Sequence, residues 1–306
     1  IVCAPTGFTR MMHTDGEVGV AAAANRAGIP YTLSTMGTTS PEDLARAVPS
    51  GSRWFQLYLW RDREASRELI GRARESGYRV LMLTVDTPVA GERLRDVRNG
   101  LTVPPKLTLR TLSDMARHPR WWFDLLTTEP LEFASLTSFD GTVAEMVDQM
   151  FFPGADLETL EWVKAQWDGP VIVKGIQTVS DARRIIATGV DGLVVSNHGG
   201  RQLDNAPTPL EVLPSVVDAV GADTAVFIDG GVMNGADVAA AVALGAEAVL
   251  VGRAYLYGLM AGGAAGADRA LEILRTQLTR TMQLIGATDV SSLDGKARLR
   301  SNRSSH

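Results

Sequence analysis

One histidine of this chain closes a predicted core strand, within the segment SNHGGRQLD (196–204). Two glycines follow His198 and free the backbone to turn, and Arg201 comes three residues after the histidine. An imidazole beside a guanidinium can remove a proton from a substrate whose carboxylate is held by that guanidinium. This spacing predicts that His198 is a general base and that Arg201 binds the carboxylate of the substrate.

A carboxylate partner for His198 stands at the end of another apolar strand, VLMLTVD (80–86). Asp86, held against one ring nitrogen, would fix the tautomer of the imidazole and stabilise its protonated form. A lone histidine is more often structural, so the hypothesis of a catalytic base depends on this pairing. The other three histidines lie in loop-like segments or at the tail of the chain.

A lysine and two glycine-rich strand ends supply further chemistry. Lys174 lies in VIVKG (171–175), and a buried ammonium needs an anionic partner because an unpaired one is costly. A Schiff-base lysine would have the same sequence surroundings, so an aldolase that uses Lys174 is the alternative from a different class of enzyme. The segments DGG (229–231) and GR (252–253) offer backbone amides and a guanidinium, which suit a phosphate monoester.

These residues are positioned by eight short apolar runs that alternate with helix-like segments. The runs are nearly continuous in apolar character, as is typical of parallel strands covered on both faces. Eight such units predict the α/β class and a closed (β/α)8 TIM barrel, with an inserted loop at 87–156 after the fourth strand. The predicted strands are 1–6, 31–35, 53–59, 80–86, 171–175, 192–197, 225–231 and 248–253.

Composition excludes several classes of protein. The chain has 306 residues, and 30 Lys and Arg against 35 Asp and Glu give a net charge of −5, which disfavours binding to nucleic acid. Cys3 is the single cysteine, so an internal disulfide and a cysteine-built metal site are excluded, and we predict no metal. This cysteine usage suits a cytoplasmic protein. No apolar stretch is long enough to predict a membrane span.

At these motifs the sequence resembles the FMN-dependent α-hydroxy acid dehydrogenase/oxidase family, most of all its bacterial L-lactate dehydrogenases, with mandelate dehydrogenase next and glycolate oxidase also similar. The resemblance covers almost the whole chain in order and spacing, and SNHGGRQLD is its most specific element. The matching segments are APTG (4–7), TLST (32–35), WFQLY (54–58), 83–100, VKGIQT (173–178), 196–204, 229–231 and GRAYLYGL (252–259).

The resemblance implies a role for each matched residue. His198 would be the active-site base and Asp86 its partner, while Arg93 and Arg201 would bind the substrate carboxylate. Tyr58 would be a further catalytic residue that hydrogen-bonds the carboxylate or the hydroxyl region of the substrate. FMN would be the cofactor, and its reduced ring would be stabilised by Lys174. The remaining FMN contacts implied are Thr6, Ser34, Gln56, Thr84 and Ser196 near the ring, Asp229 and Gly231 at the ribityl chain, and Gly252 and Arg253 at the phosphate.

The expected reaction is oxidation of an L-2-hydroxy acid, L-lactate first, with electrons passed to a quinone or cytochrome-type acceptor. An oxidase that uses O2 and an inactive flavoprotein fragment are the alternatives, the second because the resemblance places a family segment before Ile1. The single domain 1–306 would form a homotetramer. The segment WWFDLL (121–126) predicts a buried cap or subunit contact, or a peripheral membrane contact at the inner face of the cell membrane.

Overall fold

The computed structural model describes residues 1–94, 98, 99, 108, 112, 113, 116–128, 131, 134 and 155–297. Eight parallel strands close into a barrel in which each strand pairs with its neighbours in the sequence and the first pairs with the last. This confirms the predicted (β/α)8 class. The strands are β1 Val2–Cys3, β2 Tyr31–Ser34, β3 Arg53–Leu57, β4 Val80–Thr84, β5 Val171–Ile176, β6 Gly192–Val195, β7 Ala225–Ile228 and β8 Ala248–Val251.

Helices cover the outside of the barrel, and several begin at a side chain that caps a backbone amide. Thr178 accepts a hydrogen bond from the amide of Asp181, and Asn234 takes part in a reciprocal capping box with Asp237. The helices are α1 Thr9–Met12, α2 Gly16–Arg26, α3 Pro41–Ala47, α4 Arg63–Glu75, α5 Pro119–Thr127, α6 Leu157–Lys164, α7 Val179–Ile186, α8 Pro209–Val220, α9 Gly235–Ala243 and α10 Arg253–Leu284.

The interior of the barrel changes from apolar to polar toward the carboxyl ends of six of its eight strands. A buried apolar cluster fills the lower half of the barrel. In six cases the residue two positions after a member of this cluster belongs to the predicted site, because residues two apart in an extended chain point to the same face. The alternation therefore stacks a polar layer directly above an apolar one. The pairs are Ala4 and Thr6, Trp54 and Gln56, Met82 and Thr84, Ile172 and Lys174, Val194 and Ser196, and Phe227 and Asp229.

Several predicted strands end earlier in the structure than in the sequence interpretation. β1 ends at Cys3 and β4 at Thr84, so Thr6 and Asp86 lie in the loops that follow. Thr6 and Asp86 are therefore outside the hydrogen-bonded pairing of the strands, and their side chains can turn toward the axis of the barrel. Most of the predicted insertion 87–156 lies outside the described residues, so its boundaries stay a prediction; α5 belongs to it.

Candidate active site

His198 and Asp86 form a hydrogen-bonded pair across the mouth of the barrel. The Nδ1 atom of His198 lies 2.9 Å from Oδ1 of Asp86, and the carboxylate side chain is only 3% exposed whereas the imidazole is 19% exposed. An acceptor at Nδ1 favours the tautomer that carries its proton there, which leaves Nε2 able to accept another. Nε2 lies 3.5 Å from the hydroxyl of Tyr58. The structure thus brings these three predicted residues together.

The backbone at His198 is unusual for a residue with a side chain. Its φ is 56°, in the left-handed region, and Gly199 and Gly200 continue with φ of 67° and 75°. The hydroxyl of Ser196 accepts a hydrogen bond from the His198 amide at 3.0 Å, which holds this turn. Such conformations cost of order 1–3 kcal/mol and concentrate at functional sites. The turn aims the imidazole back over the strands.

Asp86 is buried and yet remains ionised. Burial alone would raise the pKa of Asp86, but the positive charge of Lys174 and the hydrogen bond from His198 outweigh it and lower that pKa. The carboxylate also packs closely on β5: a Cβ added at Gly175 would lie 2.7 Å from the Cβ of Asp86. Gly175 has a φ of 112° at an irregularity in the pairing of β5 with β6. A glycine is therefore required beside Asp86.

Lys174 lies at the centre of the polar layer. Its ammonium is almost fully buried, lies 3.1 Å from Oδ2 of Asp229 and donates to the hydroxyl of Ser196 at 3.0 Å. Burial alone would lower the pKa of Lys174, but the carboxylates of Asp229 and Asp86 outweigh it and raise that pKa. The side chain is thus held as a cation. A Schiff-base nucleophile needs a neutral amine, so this environment disfavours the aldolase alternative.

Three more predicted residues form a buried chain of hydrogen bonds beside Lys174. The hydroxyl of Ser34 donates to Oε1 of Gln56 at 3.1 Å, and Nε2 of Gln56 donates to the hydroxyl of Thr84 at 3.0 Å. These bonds fix the orientation of the Gln56 amide, because one end accepts and the other donates. The result is a rigid polar wall across β2, β3 and β4.

Thr6 is held by a residue that the sequence reasoning did not single out. The hydroxyl of Tyr255, in the first turn of α10, lies 2.7 Å from the Thr6 hydroxyl and donates to the carbonyl oxygen of Ala4. Tyr255 is fully buried, and its burial raises its pKa well above the ordinary value. It lies in the segment GRAYLYGL, where a tyrosine two residues after Arg253 was the available signal.

Arg93 and Arg201, which are predicted to bind the substrate carboxylate, lie at the exposed rim of the barrel mouth. Arg93 is in the loop after β4, and its positive charge acts on the Tyr58 hydroxyl, whose pKa burial nevertheless raises to about 12. Arg201 directly follows the turn at His198. Both guanidiniums are exposed, as expected for groups that meet a ligand from solvent.

The ends of β7 and β8 form a second part of the site, which fits the ribityl phosphate of a flavin nucleotide. Oδ1 of Asp229 is buried and, within the described residues, has no hydrogen-bond partner, as suits an acceptor for a ligand hydroxyl. Gly231 has a φ of 87°, and a Cβ there would meet nothing within 4 Å, which leaves open space at the phosphate end. Gly252 precedes α10, and Arg253 is its exposed first residue. These groups can bind an anion.

Comparisons with known proteins identify the family of the chain. A family model described as FMN-dependent dehydrogenase matches residues 1–300. The chain is 58% identical over 290 residues to a Mycobacterium tuberculosis protein named "Putative L-lactate dehydrogenase". The aligned region covers 95% of this chain and 70% of that protein.

Two solved structures give the same result. The structure of the monotopic membrane protein (S)-mandelate dehydrogenase matches with a TM-score of 0.91 and 40% identity over 96% of this chain and 79% of that one. A mandelate oxidase mutant with a C4a-OH-FMN adduct matches with a TM-score of 0.79 and 39% identity over 96% and 77%. The cofactor is FMN. The chain belongs to the FMN-dependent α-hydroxy acid dehydrogenase family and is an FMN-dependent hydroxy acid oxidoreductase.

Proposed function

We propose that this protein oxidises an L-2-hydroxy acid to the 2-oxo acid, with L-lactate as the preferred substrate and a quinone or cytochrome-type electron acceptor. The observation that carries the proposal is the His198–Asp86 pair, 2.9 Å apart, at the same barrel mouth as the buried Lys174 cation. Lactate is favoured over mandelate because the relative named for lactate is 58% identical, against 40% for the mandelate dehydrogenase.

The side chains divide the work between binding and proton transfer. Arg93 and Arg201 bind the substrate carboxylate and orient its hydroxyl-bearing carbon. Nε2 of His198 accepts the proton that the substrate releases, and Asp86 stabilises the imidazolium that results. The Tyr58 hydroxyl donates a hydrogen bond to the substrate, since its raised pKa keeps it protonated. FMN, when bound, supplies the acceptor for the two electrons.

We assign FMN to the polar layer and to the ends of β7 and β8. Lys174 would stabilise the negative charge that reduction brings to the ring, and the hydroxyls of Ser34 and Thr84 with the amide of Gln56 would hold the ring. The proposed ring contacts are Thr6, Ser34, Gln56, Thr84, Lys174 and Ser196; the tail contacts are Asp229, Gly231, Gly252 and Arg253.

Anaerobic addition of substrates to the FMN-loaded protein tests the function. We expect L-lactate to bleach the visible flavin absorption with a higher second-order rate constant than glycolate or L-mandelate. Slow recovery of colour in air together with fast recovery on adding a quinone supports a dehydrogenase, whereas fast recovery in air supports the oxidase alternative. A loaded protein that no 2-hydroxy acid bleaches would contradict the proposal and favour an inactive flavoprotein.

The helix α5 is the candidate contact with a membrane-bound acceptor. Trp121, Phe123 and Leu126 are 38%, 58% and 74% exposed, so the expectation of a buried cap is wrong for these three side chains. Trp and other large apolar side chains favour the membrane interface, and the (S)-mandelate dehydrogenase with the same fold is a monotopic membrane protein. Across the described residues, no helix combines the length and apolar character that crossing a bilayer requires. We therefore propose a peripheral contact.

Sedimentation with lipid vesicles distinguishes the two uses that remain for α5. The double change Phe123→Ser and Leu126→Ser should reduce the vesicle-bound fraction several-fold, with the exposed Val290→Ser as a matched control. A variant that still sediments with vesicles but loses oligomer mass by light scattering would show instead that α5 is a subunit contact. The homotetramer stays a prediction, and the same mass measurement tests it.

A further inference from the structure

The side chain of Gln202 joins two loops at the barrel mouth. Its Nε2 donates to the carbonyl oxygens of Asp86 at 3.1 Å and Val89 at 3.0 Å, and its Oε1 accepts from the amide of Gly91 at 3.2 Å. One amide of the loop after β6 thus satisfies three backbone groups of the loop after β4. Because every donor and acceptor of the amide is used in one geometry, the relative position of the two loops is fixed.

The backbones of the two loops also touch directly at Gly91. A Cβ added at this residue would overlap the carbonyl oxygen of Arg201 and would lie 2.7 Å from Oε1 and 2.8 Å from Cα of Gln202. A glycine is therefore needed here for close approach. Gly91 and Gln202 together define a latch between the loops.

The latch lies next to the residues proposed to bind and react with the substrate. Arg93 follows Gly91 by two residues, and Arg201 directly precedes Gln202. The latch also includes the hydrogen bond from Gln202 to the backbone carbonyl oxygen of Asp86, and the side chain of Asp86 pairs with His198. Both guanidiniums must meet the same substrate carboxylate, so a change in the spacing between the loops would weaken binding of that carboxylate.

We propose that Gln202 is a positioning residue for the substrate: its latch to Asp86, Val89 and Gly91 sets the spacing of the Arg93 and Arg201 guanidiniums. This inference rests on the proposed function of those two arginines. Gln202 does not touch the reacting atoms in this assignment. Loss of Gln202 should weaken binding of the substrate carboxylate and leave the proton transfer intact. Asp86 keeps its position without Gln202, because its side chain pairs with His198 and the neighbouring amide of Val85 donates to the backbone carbonyl oxygen of Lys174.

The change Gln202→Met removes all three hydrogen bonds at nearly constant volume. We expect KM for the hydroxy acid to rise at least tenfold while kcat of the FMN-loaded enzyme changes less than threefold. The dissociation constant of the 2-oxo acid product, measured by its perturbation of the flavin absorption, should rise by the same factor. The control is Gln166→Met near the opposite end of the barrel, where the amide bonds to Arg67 and to the Trp162 carbonyl; it should change neither constant.

A second variant keeps the test decisive if Gln202→Met fails to fold or to retain FMN. Gly91→Ala leaves the glutamine in place but forces the loops apart, so it should reproduce the rise in KM and in the product dissociation constant. Unchanged constants in a folded, FMN-loaded variant would overturn the latch, and so would a fall in kcat at constant KM. Failure of the proposed function is a separate result, since the unaltered protein would then not reduce its flavin with any hydroxy acid.

Discussion

Two pairs of a basic and an acidic side chain share the mouth of the barrel and differ in what their basic groups can do. His198–Asp86 and Lys174–Asp229 are joined at 2.9 Å and 3.1 Å. In the first, the imidazole reaches the opening, and its Nε2 is placed to accept a proton because Asp86 occupies Nδ1. In the second, both groups are buried, and the carboxylates raise the pKa of Lys174, so its charge is permanent.

In the proposed function, this difference separates the group that would move a proton from the group that would hold a fixed charge. A base needs an open nitrogen and an anion behind it, which His198 has in Nε2 and Asp86. A fixed cation needs burial and compensation so that its field acts strongly on a neighbouring group. In the proposed function, similar distances therefore serve different purposes because the basic groups and their exposure differ.

The largest expected effect comes from removing the mobile proton acceptor. His198→Ala should lower the rate of flavin reduction by about 10⁴-fold, the upper range for a general base, while FMN stays bound. Stopped-flow reduction by L-lactate measures this. His13→Ala is the matched control, because His13 lies 3.7 Å from Asp15 outside the proposed site, and it should change the rate less than threefold. If L-lactate reduced the flavin of His198→Ala at a near-normal rate, His198 would not be the proton acceptor, and the proposed difference between the His198–Asp86 and Lys174–Asp229 pairs would be wrong.

Removing the fixed cation should affect stability and cofactor binding instead. Lys174→Met leaves Asp229 buried without its partner, so we expect the free energy of unfolding to fall by about 3–5 kcal/mol, with weaker FMN binding. Urea unfolding and flavin fluorescence measure the two effects. Arg275→Met, which breaks an exposed ion pair with Glu272 on α10, should cost under about 1 kcal/mol. Equal losses in the two variants would contradict the assignment.

A smaller effect on the rate follows from Asp86. Asp86→Asn keeps the size of the side chain but removes the anion behind the imidazole, so the imidazolium loses its stabilisation. We expect flavin reduction to slow on the order of 100-fold, at the lower end of general base catalysis, with FMN content unchanged. If the rate did not change, His198 would act without its partner.

The pH dependence of stability gives the smallest effect. Because the native pKa of Asp86 lies below its ordinary value, its stabilisation is present above about pH 4 and is lost as pH falls through the native pKa. Below pH 4, stability of the unaltered protein should fall more steeply than that of Asp86→Asn, by up to about 1.4 kcal/mol per pH unit. Urea titrations at each pH measure the slopes. The exposed Asp168→Asn should leave the slope of the unaltered protein nearly unchanged.

Much of the site was predictable because strand alternation is a local property. Gln56 and Thr84 follow buried apolar residues by two positions, and this spacing alone places them in the polar layer. Tyr255 and Gln202 were not predicted as partners, because their contacts join residues 251 and 116 positions apart. Exposure of Phe123 was also unpredictable, since the same apolar helix could equally have packed inward.

The sequence by itself determined the repeated strand–helix order, the apolar and polar layers, and the presence of an imidazole, an ammonium and guanidiniums at strand ends. Tertiary structure alone decided that Lys174 pairs with Asp229, that the backbone at His198 is left-handed, and that Gln202 joins two loops. The physical reason is range: periodicity is set by neighbours along the chain, whereas pairing, desolvation and the pKa values of Asp86 and Lys174 depend on groups that only barrel closure brings together.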